Sequence, residues 1–363
     1  MHAIPVPFAE ISRALVIKLR HHGDVLLTTP VFSALQRAAP QCEIDALVYA
    51  ETTPMLDGHP AIAKIHAIDR NWKRLGGVAR TAAEWRIFAA LRARHYDLIV
   101  HLTDNWRGAW LVRSLQPRFS AAGFSPLQPP TKLWARSFTH LAPWPPLGNR
   151  HTVECHLDVL RALGIQPGIG DRRLTFQPGE AACQRIEALL APHGIAPGRL
   201  IHIHPASRRM FKAWTVEGYA ELITALAECG YRLVMTTGPA AREMALATAI
   251  LERCRIKPID LSGQLTLKEL GAVIGTARLS ICVDSVPMHL AAALGTPVVA
   301  LFGPSNEHEW GPWQVPQRVL VSQHSCRPCR LDGCGGGKIS ECLTSLSSTE
   351  VLAAAESLLA ETA

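Results

Sequence analysis

The sequence predicts an α/β protein made of two halves, each with its own parallel sheet. Short apolar runs alternate with helical patterns through the first hundred residues. The same alternation starts again near Leu200, after a stretch rich in glycine and proline. Strand–helix–strand repeats of this kind favour parallel sheets with right-handed crossovers. The 363 residues are enough for two domains that each bury a core.

In the first half, apolar runs that end at polar loops define the strands, and apolar residues three and four apart define the helices. We predict strands at 14–19, 43–49, 62–68 and 96–102. We predict one helix that follows the loop 20–24 and ends at Ala39, and further helices at 78–94 and 151–163.

The second half repeats this pattern. The predicted strands are 200–204, 232–236, 259–261, 280–283 and 298–302, and the predicted helices are 216–229, 240–253, 266–277, 287–294 and 349–361. Thr266 followed by Glu269 is the signature of a capping box. We therefore divide the chain into an N-terminal domain 1–165, a linker 166–180, a C-terminal domain 181–347 and a C-terminal helix 348–363. Two such sheets favour a ligand cleft at the carboxyl ends of their strands.

The charge of the chain is unevenly distributed. The whole chain has a net charge of +7, but residues 61–150 carry 14 Lys or Arg against 4 Asp or Glu, and six of the nine tryptophans. Basic side chains attract phosphates, and tryptophan suits the boundary of lipid headgroups. Nucleic acid would also fit such a pattern, as would a solvated surface above ordinary core tryptophans. The longest apolar stretch, 279–303, is interrupted by Asp284, His289 and two prolines, so we expect no membrane span.

The sequence lacks several common motifs that bind nucleotides or diphosphates. No G-x-G-x-x-G follows a predicted strand, and the glycines at 333–338 do not form a phosphate loop of the G-x-x-x-x-G-K type. There is no D-x-D pair to hold a metal-bound diphosphate. A diphosphate would have to be neutralised by lysine, hydroxyl groups and helix N-termini.

The loop after the first predicted strand is the first candidate site. It runs KLRHHGDVLLTTP from Lys18, with a glycine for a tight turn and Asp24 near the start of the next helix. Asp24 is either a helix N-cap, worth about 1 kcal/mol, or a general base that faces the cleft. In the second interpretation Lys18, Arg20 and His21 gather an anionic acceptor.

Two loops of the second half suit a nucleotide. Ser207 and Lys212 follow its first strand and would suit a phosphate, or form an ordinary basic loop. Glu243 lies in the first turn of the helix at 240–253. Its carboxylate would accept ribose hydroxyls, or would only favour the helix dipole.

Two further loops point to the same place. Asp284 and Ser285 stand between a strand and a helix with Pro287 near its first position, which makes an anion-receptive helix start. His289 lies on the first turn of that helix and would touch a ligand there, although a lone histidine is more often structural. Gly303 ends the next strand and brings backbone close to the same place.

The cysteines raise the question of a metal. Cys326, Cys329, Cys334 and Cys342 fall within 17 residues. Four thiols make a tetrahedral zinc site in many proteins. The spacing differs from that of common zinc ribbons, and the glycine-rich interior suits a flexible loop with reduced or locally bridged thiols. We therefore expect no catalytic metal and do not favour structural zinc.

Together these segments resemble the ADP-heptose:lipopolysaccharide heptosyltransferases, glycosyltransferase family 9. GDVLLTTP, the K-x-W loop, VDSVPMHLAAALG and ALFGPS occur in family order and cover most of the chain. The RHHGDVLLTTP opening and the CRPCRLDGCGGGKISEC segment are most similar to members that branch the inner core of lipopolysaccharide. The resemblance implies a GT-B fold: two Rossmann-like αβα domains whose parallel sheets face a central cleft, the first binding the acceptor and the second the ADP-sugar.

The resemblance also implies an activity, namely inverting, metal-independent transfer of heptose from ADP-heptose to the lipopolysaccharide inner core. Asp24 occupies the position of the catalytic base, and Lys212 that of the lysine that holds the donor phosphates. The other implied donor-site residues are Ser207, Glu243, Asp284, Ser285, His289 and Gly303. The implied location is cytoplasmic and peripheral, at the cytoplasmic face of the inner membrane, without nucleic acid as a partner. A different nucleotide sugar, or a non-catalytic protein that binds anionic glycolipid, are the alternatives.

Overall fold

The chain forms two compact units. The computed structural model describes residues 5–127, 129–145, 148, 150–196 and 198–362. Contacts divide the chain into Met1–Phe176, called unit 1, and Gln177–Ala363, called unit 2. The division falls inside the segment predicted as a linker, 166–180. No helix in the described ranges is long and apolar enough to cross a bilayer.

Unit 1 is built on a six-stranded parallel sheet. Its strands are β1 (Arg13–Lys18), β2 (Glu43–Tyr49), β3 (Lys64–Ile68), β4 (Leu98–His101), β5 (Phe119–Phe124) and β6 (His140–Pro143). Its helices are α1 (His22–Leu26), α2 (Thr29–Ala38), α3 (Gly77–Arg92), α4 (Trp106–Leu115), α5 (Lys132–Ala135) and α6 (Thr152–Ala162). The strand order is β3-β2-β1-β4-β5-β6. Leu15, Ile17 and Ile99 of the central strands are fully buried, as parallel sheets require.

The single helix predicted up to Ala39 is wrong, because α1 and α2 are separate helices. The hydroxyls of Thr28 and Thr29 donate to the carbonyls of Val25 and Leu26, at 2.6 and 2.9 Å. Pro30 has no N–H to continue the α1 ladder. Side chains that satisfy backbone carbonyls locally compete with helix, and here they end it.

Unit 2 also contains a six-stranded parallel sheet. Its strands are β7 (Leu200–His204), β8 (Arg232–Met235), β9 (Ile259–Asp260), β10 (Leu279–Val283), β11 (Val298–Phe302) and β12 (Gln317–Val321). Its helices are α7 (Glu180–Leu190), α8 (Val216–Glu228), α9 (Ala241–Arg253), α10 (Leu267–Thr276), α11 (Val286–Leu294), α12 (Glu307–Trp310), α13 (Glu341–Thr344) and α14 (Ser348–Glu361). The order is β12-β11-β10-β7-β8-β9.

Local signals for several of these elements are confirmed. The capping box at Thr266 and Glu269 is present at the start of α10. Gly295 ends α11 with φ +76°, a left-handed conformation that suits glycine. The final helix α14 buries Val351, Ala355 and Leu358 in the unit 2 core. Its apolar residues recur every three or four positions, so one face of the helix closes the core.

Each sheet has one point at which the strand order reverses. In unit 1 the chain runs outwards from β1 to β3 and then returns to the other side of β1 with β4. In unit 2 it runs from β7 to β9 and returns beside β7 with β10. Loops on either side of such a point diverge and leave a crevice at the carboxyl ends of the two strands. The α/β prediction is confirmed, and these two crevices are where the candidate residues have to be sought.

Candidate functional site

Asp24 follows β1 and lies at the unit 1 crevice. Helix α1 starts at His22, and its N-cap is His21, whose side chain makes no capping hydrogen bond. Asp24 therefore lies inside the first turn, and the N-cap interpretation is wrong. Asp24 is half-buried, and it makes no hydrogen bond or ion pair with any other part of the chain that the structure describes. Such a carboxylate keeps its lone pairs for a proton.

Lys18, predicted to meet the acceptor, is buried instead. Its side chain is at the end of β1, and the residue is 6% exposed. The ammonium donates to the Leu102 carbonyl at 2.9 Å and to Nε2 of His156 at 2.8 Å. Nδ1 of His156 donates to the Leu27 carbonyl at 3.1 Å, which fixes the neutral tautomer. These bonds favour a positioning role for Lys18 over direct contact with the acceptor.

Burial also sets the charge state of this network. Desolvation lowers the pKa of Lys18 from 10.5 to about 8, against the charge of Asp24, which raises it. Desolvation lowers the pKa of His156 well below its usual 6.5, and the Lys18 charge adds to this. At neutral pH the lysine is therefore a buried cation beside a neutral imidazole. It supplies positive potential next to Asp24 without being exposed.

Arg20 and His21 are held by a residue that sequence reasoning missed. Arg20 forms an ion pair with Asp104 at 2.8 Å and is largely exposed. Arg70, just after β3, lies 3.4 Å from Nδ1 of His21 and donates to the Arg20 carbonyl at 3.4 Å. Its guanidinium stacks 3.9 Å above the ring of Tyr49. Arg70 is distant in sequence, so only the parallel order of β1 to β3 brings it to this loop.

In unit 2, the loops on both sides of the crevice are joined by an ion pair. Lys212 follows β7 and Asp284 follows β10, and their Nζ and Oδ2 atoms are 2.5 Å apart. The two side chains are 20% and 10% exposed. Ser207 is 8% exposed, and its hydroxyl accepts from the Arg209 N–H at 3.4 Å. The predicted lysine, carboxylate and hydroxyl are all on loops that meet at the reversal of strand order.

The turn that carries Lys212 is supported by the cysteine-rich end of the chain. The Ser340 hydroxyl is buried and donates to the Phe211 carbonyl at 2.6 Å. The indole of Trp214 donates to the Leu346 carbonyl at 2.9 Å. The cysteine segment is remote along the chain, but the fold therefore brings its end against the proposed donor loop.

Helix α11 begins directly after Asp284 and Ser285, where the sequence predicts a helix start. Ser285 is the N-cap in an extended conformation, but its hydroxyl donates to the Val283 carbonyl at 3.2 Å instead of capping the helix. Pro287 is the second residue of α11. His289, the fourth residue of α11, is 5% exposed. The positive end of the α11 dipole thus lies directly after Asp284, where it favours negative charge.

Glu243 and Gly303 make contacts in two separate loops of unit 2, after β8 and after β11. Oε2 of Glu243 accepts from the Gly238 N–H at 2.9 Å, so this side chain turns towards the loop after β8. The Gly303 carbonyl accepts from Nε of Arg327 at 2.7 Å. Arg327 is almost fully buried and also pairs with Glu307 at 3.0 Å. The sequence did not predict these two contacts of Arg327, because no local sequence pattern indicates them.

A buried polar network lies beneath these loops. His202 contacts the Ser280 hydroxyl at 2.9 Å and the Thr236 hydroxyl at 2.8 Å. Nδ1 of His204 lies 2.9 Å from the same Thr236 hydroxyl. Burial lowers the pKa of His204 to about 3, and that of His202 well below 6.5. Both histidines are neutral at pH 7, so they add hydrogen bonds under the site without adding charge.

The four cysteines of the predicted zinc site are free thiols. The ten cysteines are free thiols, and Cys342 is buried while Cys326 is exposed. Within the described ranges, no three His, Cys, Asp or Glu side chains are grouped so that they would hold a metal ion. Zinc at Cys326, Cys329, Cys334 and Cys342 remains the less favoured prediction, to be tested by metal analysis.

Similar proteins agree with the architecture. The glycosyl transferase family 9 structure from Veillonella parvula DSM 2008 has a TM-score of 0.83 at 26% identity, covering 99% of this chain and 100% of that one. Escherichia coli heptosyltransferase WaaC with ADP has a TM-score of 0.72 at 21% identity, covering 97% and 100%. This second likeness concerns the fold alone, and the GT-B prediction is confirmed.

The sequence comparisons extend the agreement to the family. Lipopolysaccharide heptosyltransferase 3 of Escherichia coli is 37% identical over 297 residues, 81% of this chain and 84% of that protein. The protein of the same name from strain K12 is 38% identical over 296 residues. The family model for glycosyltransferase family 9 (heptosyltransferase) matches residues 84–339. Because the family model and these two relatives each cover most of its length, the chain belongs to glycosyltransferase family 9, the heptosyltransferases.

Proposed function

We propose that this heptosyltransferase transfers heptose from ADP-heptose to the inner core of lipopolysaccharide, with inversion and without a metal. Unit 1 binds the acceptor, and unit 2 binds the nucleotide sugar. The observation that carries the proposal is the unpartnered carboxylate of Asp24 at the reversal point of the unit 1 sheet. The relatives named above support the choice of sugar and acceptor.

The chemistry asks for two things from the protein. A base within about 3 Å of the acceptor hydroxyl takes its proton as the bond to the anomeric carbon forms. Asp24 has the free oxygens for this step. A single displacement at that carbon inverts its configuration, and no enzyme nucleophile is needed.

The second requirement is to neutralise the departing ADP. Charge builds on the diphosphate as the glycosidic bond to it breaks, and preorganised cations and dipoles stabilise that charge most effectively. Lys212 and the start of α11 at Ser285 provide a cation and a helix N-terminus next to each other. Ser207 and His289 line the same loops, and Glu243 supplies one carboxylate oxygen to the ribose while Gly238 holds the other.

The location follows from the substrates and remains part of the proposal. The protein works in the cytoplasm, peripheral to the cytoplasmic face of the inner membrane, where a lipid-linked acceptor meets a nucleotide sugar. The positive charge of residues 61–150 supports contact with an anionic surface. Nucleic acid is not a partner in this proposal.

Asp24→Asn tests the proposed base. The amide has the same shape but does not accept the proton, so we expect kcat to fall by about 100-fold or more with little change in thermal stability. Asp57→Asn, an exposed carboxylate of the same unit, is the matched control and should keep wild-type turnover. Wild-type turnover of Asp24→Asn on truncated core lipopolysaccharide would refute the role.

A donor panel tests the remaining parts. The products of ADP-heptose, and of UDP- and GDP-sugars, with truncated core lipopolysaccharides are weighed by mass spectrometry, and the anomeric configuration is read by NMR. Transfer from ADP-heptose with inversion, unaffected by a chelator, is the expected result. Transfer from another nucleotide sugar alone, or retention, would contradict the proposal.

A further inference from the structure

Helices α3 and α4 leave an apolar groove open on unit 1. Helix α3 has 16 residues, all described, and Leu91 is the only buried one. The groove between the helices has a volume of about 330 Å³ and is lined by Ile87 and Phe88, with Trp85 and Trp110 among its walls. A helix packed so little on its own unit is short of the apolar burial that normally stabilises helices.

Two exposed tryptophan side chains lie along this groove. Trp85 is 63% exposed and Trp110 is 59% exposed. The ring centroids of Trp85 and Phe88 are 5.7 Å apart, so the two side chains form one continuous aromatic surface. Val78, 88% exposed, is seven residues before Trp85 and therefore on the same side of α3. Contiguous exposed apolar side chains of this kind mark a surface that is covered in use.

The groove is surrounded by positive charge. The single acid of α3, Glu84, already pairs with Arg107 of α4. The exposed cations of α3 and the turn before it are Lys73, Arg74, Arg80, Arg86 and Arg92. None of these five forms an ion pair with any carboxylate in the described ranges. Their charges are therefore available to a partner from outside the chain.

We propose that this α3–α4 face is the membrane-docking surface, seated on a bilayer that contains anionic phospholipid. Tryptophan rings belong at the boundary between headgroups and acyl chains, and arginines belong at the phosphates. A second copy of the chain would bring two positively charged faces together, which charge repulsion opposes. An apolar groove ringed by cations matches an anionic bilayer in both respects.

This inference rests on the proposed function, because a membrane-embedded glycolipid acceptor is what makes docking useful. The test nevertheless uses neither donor nor acceptor. Failure of vesicle binding would overturn the docking surface and leave the transferase activity standing. Failure of the donor panel would overturn the proposed function and leave vesicle binding unchanged.

The experiment is co-sedimentation of the full-length protein with phosphatidylcholine vesicles, with and without phosphatidylglycerol. We expect tighter binding to the anionic vesicles, weakened by salt. Trp85→Ser with Trp110→Ser should weaken binding by about tenfold or more through lost apolar burial. Arg80→Gln with Arg86→Gln should weaken it by about fivefold for each arginine.

Two matched controls separate the groove from general surface effects. Ile169→Ser removes an apolar side chain of unit 1 that is 84% exposed but lies outside α3 and α4. Arg253→Gln with Arg255→Gln removes the same charge from unit 2. Both controls should bind anionic vesicles like the wild type. The two groove variants should keep the wild-type melting temperature, because the side chains they change are exposed.

Three results would overturn the proposal. The first is equal binding of the wild type to neutral and anionic vesicles. The second is wild-type binding by the tryptophan variant. The third is a dimer, seen by sedimentation velocity, that this variant loses while vesicle binding is absent, since the face would then be covered by a second copy.

Discussion

Replacing Lys18 by methionine should remove a pH-dependent part of the stability of unit 1. The ammonium is at the end of β1, 6% exposed, and donates to the Leu102 carbonyl and to His156. Burial lowers its pKa from 10.5 to about 8. Methionine keeps the apolar stem and fills a similar space, but it has no charge to desolvate.

The sign of the effect follows from the protons bound in each state. Between pH 8 and 10.5 the unfolded chain keeps the Lys18 proton and the folded chain has lost it, so stability rises with pH in this window. A shift of about 2.5 pKa units corresponds to about 3 kcal/mol. For a unit of this size, that is a melting-temperature change of roughly 6 to 12 °C.

Differential scanning calorimetry of wild type and Lys18→Met across pH 8 to 10.5 measures this effect. Titratable groups common to both proteins cancel when the two melting temperatures are subtracted. The melting temperature of the wild type should therefore rise by roughly 6 to 12 °C relative to that of the variant as pH rises. Lys64→Met, an exposed lysine at the start of β3, is the control and should give a flat difference. A flat difference for Lys18→Met as well would refute the idea that Lys18 is a buried cation.

Three other changes test other parts of the structure. Ser340→Ala removes the hydroxyl that holds the turn before the donor lysine, so kcat/KM for ADP-heptose should fall about tenfold, and an unchanged value would contradict that support. Gly108→Ala places a Cβ 2.0 Å from the His101 ring and should cost about 1–3 kcal/mol, measured as a lower melting temperature; an unchanged melt would contradict the packing. Burial lowers the pKa of His59 and His101 to about 4 and that of His204 to about 3. Below pH 6.5 the unfolded chain therefore binds more protons than the folded chain, and the free energy of unfolding should fall by about 1.4 kcal/mol per pH unit for each histidine. Calorimetry at decreasing pH measures this, and a constant melting temperature would contradict it.

The sequence predicted the central strands best. The predicted bounds of β2, β7 and β11 are those of the structure. Most residues of these strands are apolar and buried, as in strands covered on both faces of a parallel sheet. The strands β5, β6 and β12 were missed. β6 has four residues and ends in Pro143, and β12, at the edge of the unit 2 sheet, is mostly half-buried. Strands as short as β6 or as exposed as β12 leave only a weak apolar pattern. β5 is buried, but it contains two alanines and a glycine, which are residues that do not favour strands.

The site was predicted as a set of loops but not as a set of contacts. Lys18 and His156 are 138 residues apart in sequence, and Ser340 and Phe211 are 129 residues apart. Patterns within a window of ten or twenty residues carry no information about such pairs. The sequence therefore predicted that Lys18 meets the acceptor, and only the structure shows that it is buried against His156 of α6.

The two units treat the charged side chains of their crevices differently, and the difference fits the roles proposed for Asp24 and Lys212. In unit 1 the fold leaves Asp24 without a hydrogen-bond partner among the described residues, which is the state a general base needs to receive a proton. In unit 2 it neutralises Lys212 with Asp284, 2.5 Å away and mostly buried, because an unpaired cation there would be costly. If Lys212 holds the donor phosphates, ADP-heptose must compete with Asp284 for that ammonium. Donor binding then opens or shares the ion pair, so it reorganises the unit 2 loops while Asp24 remains ready in unit 1.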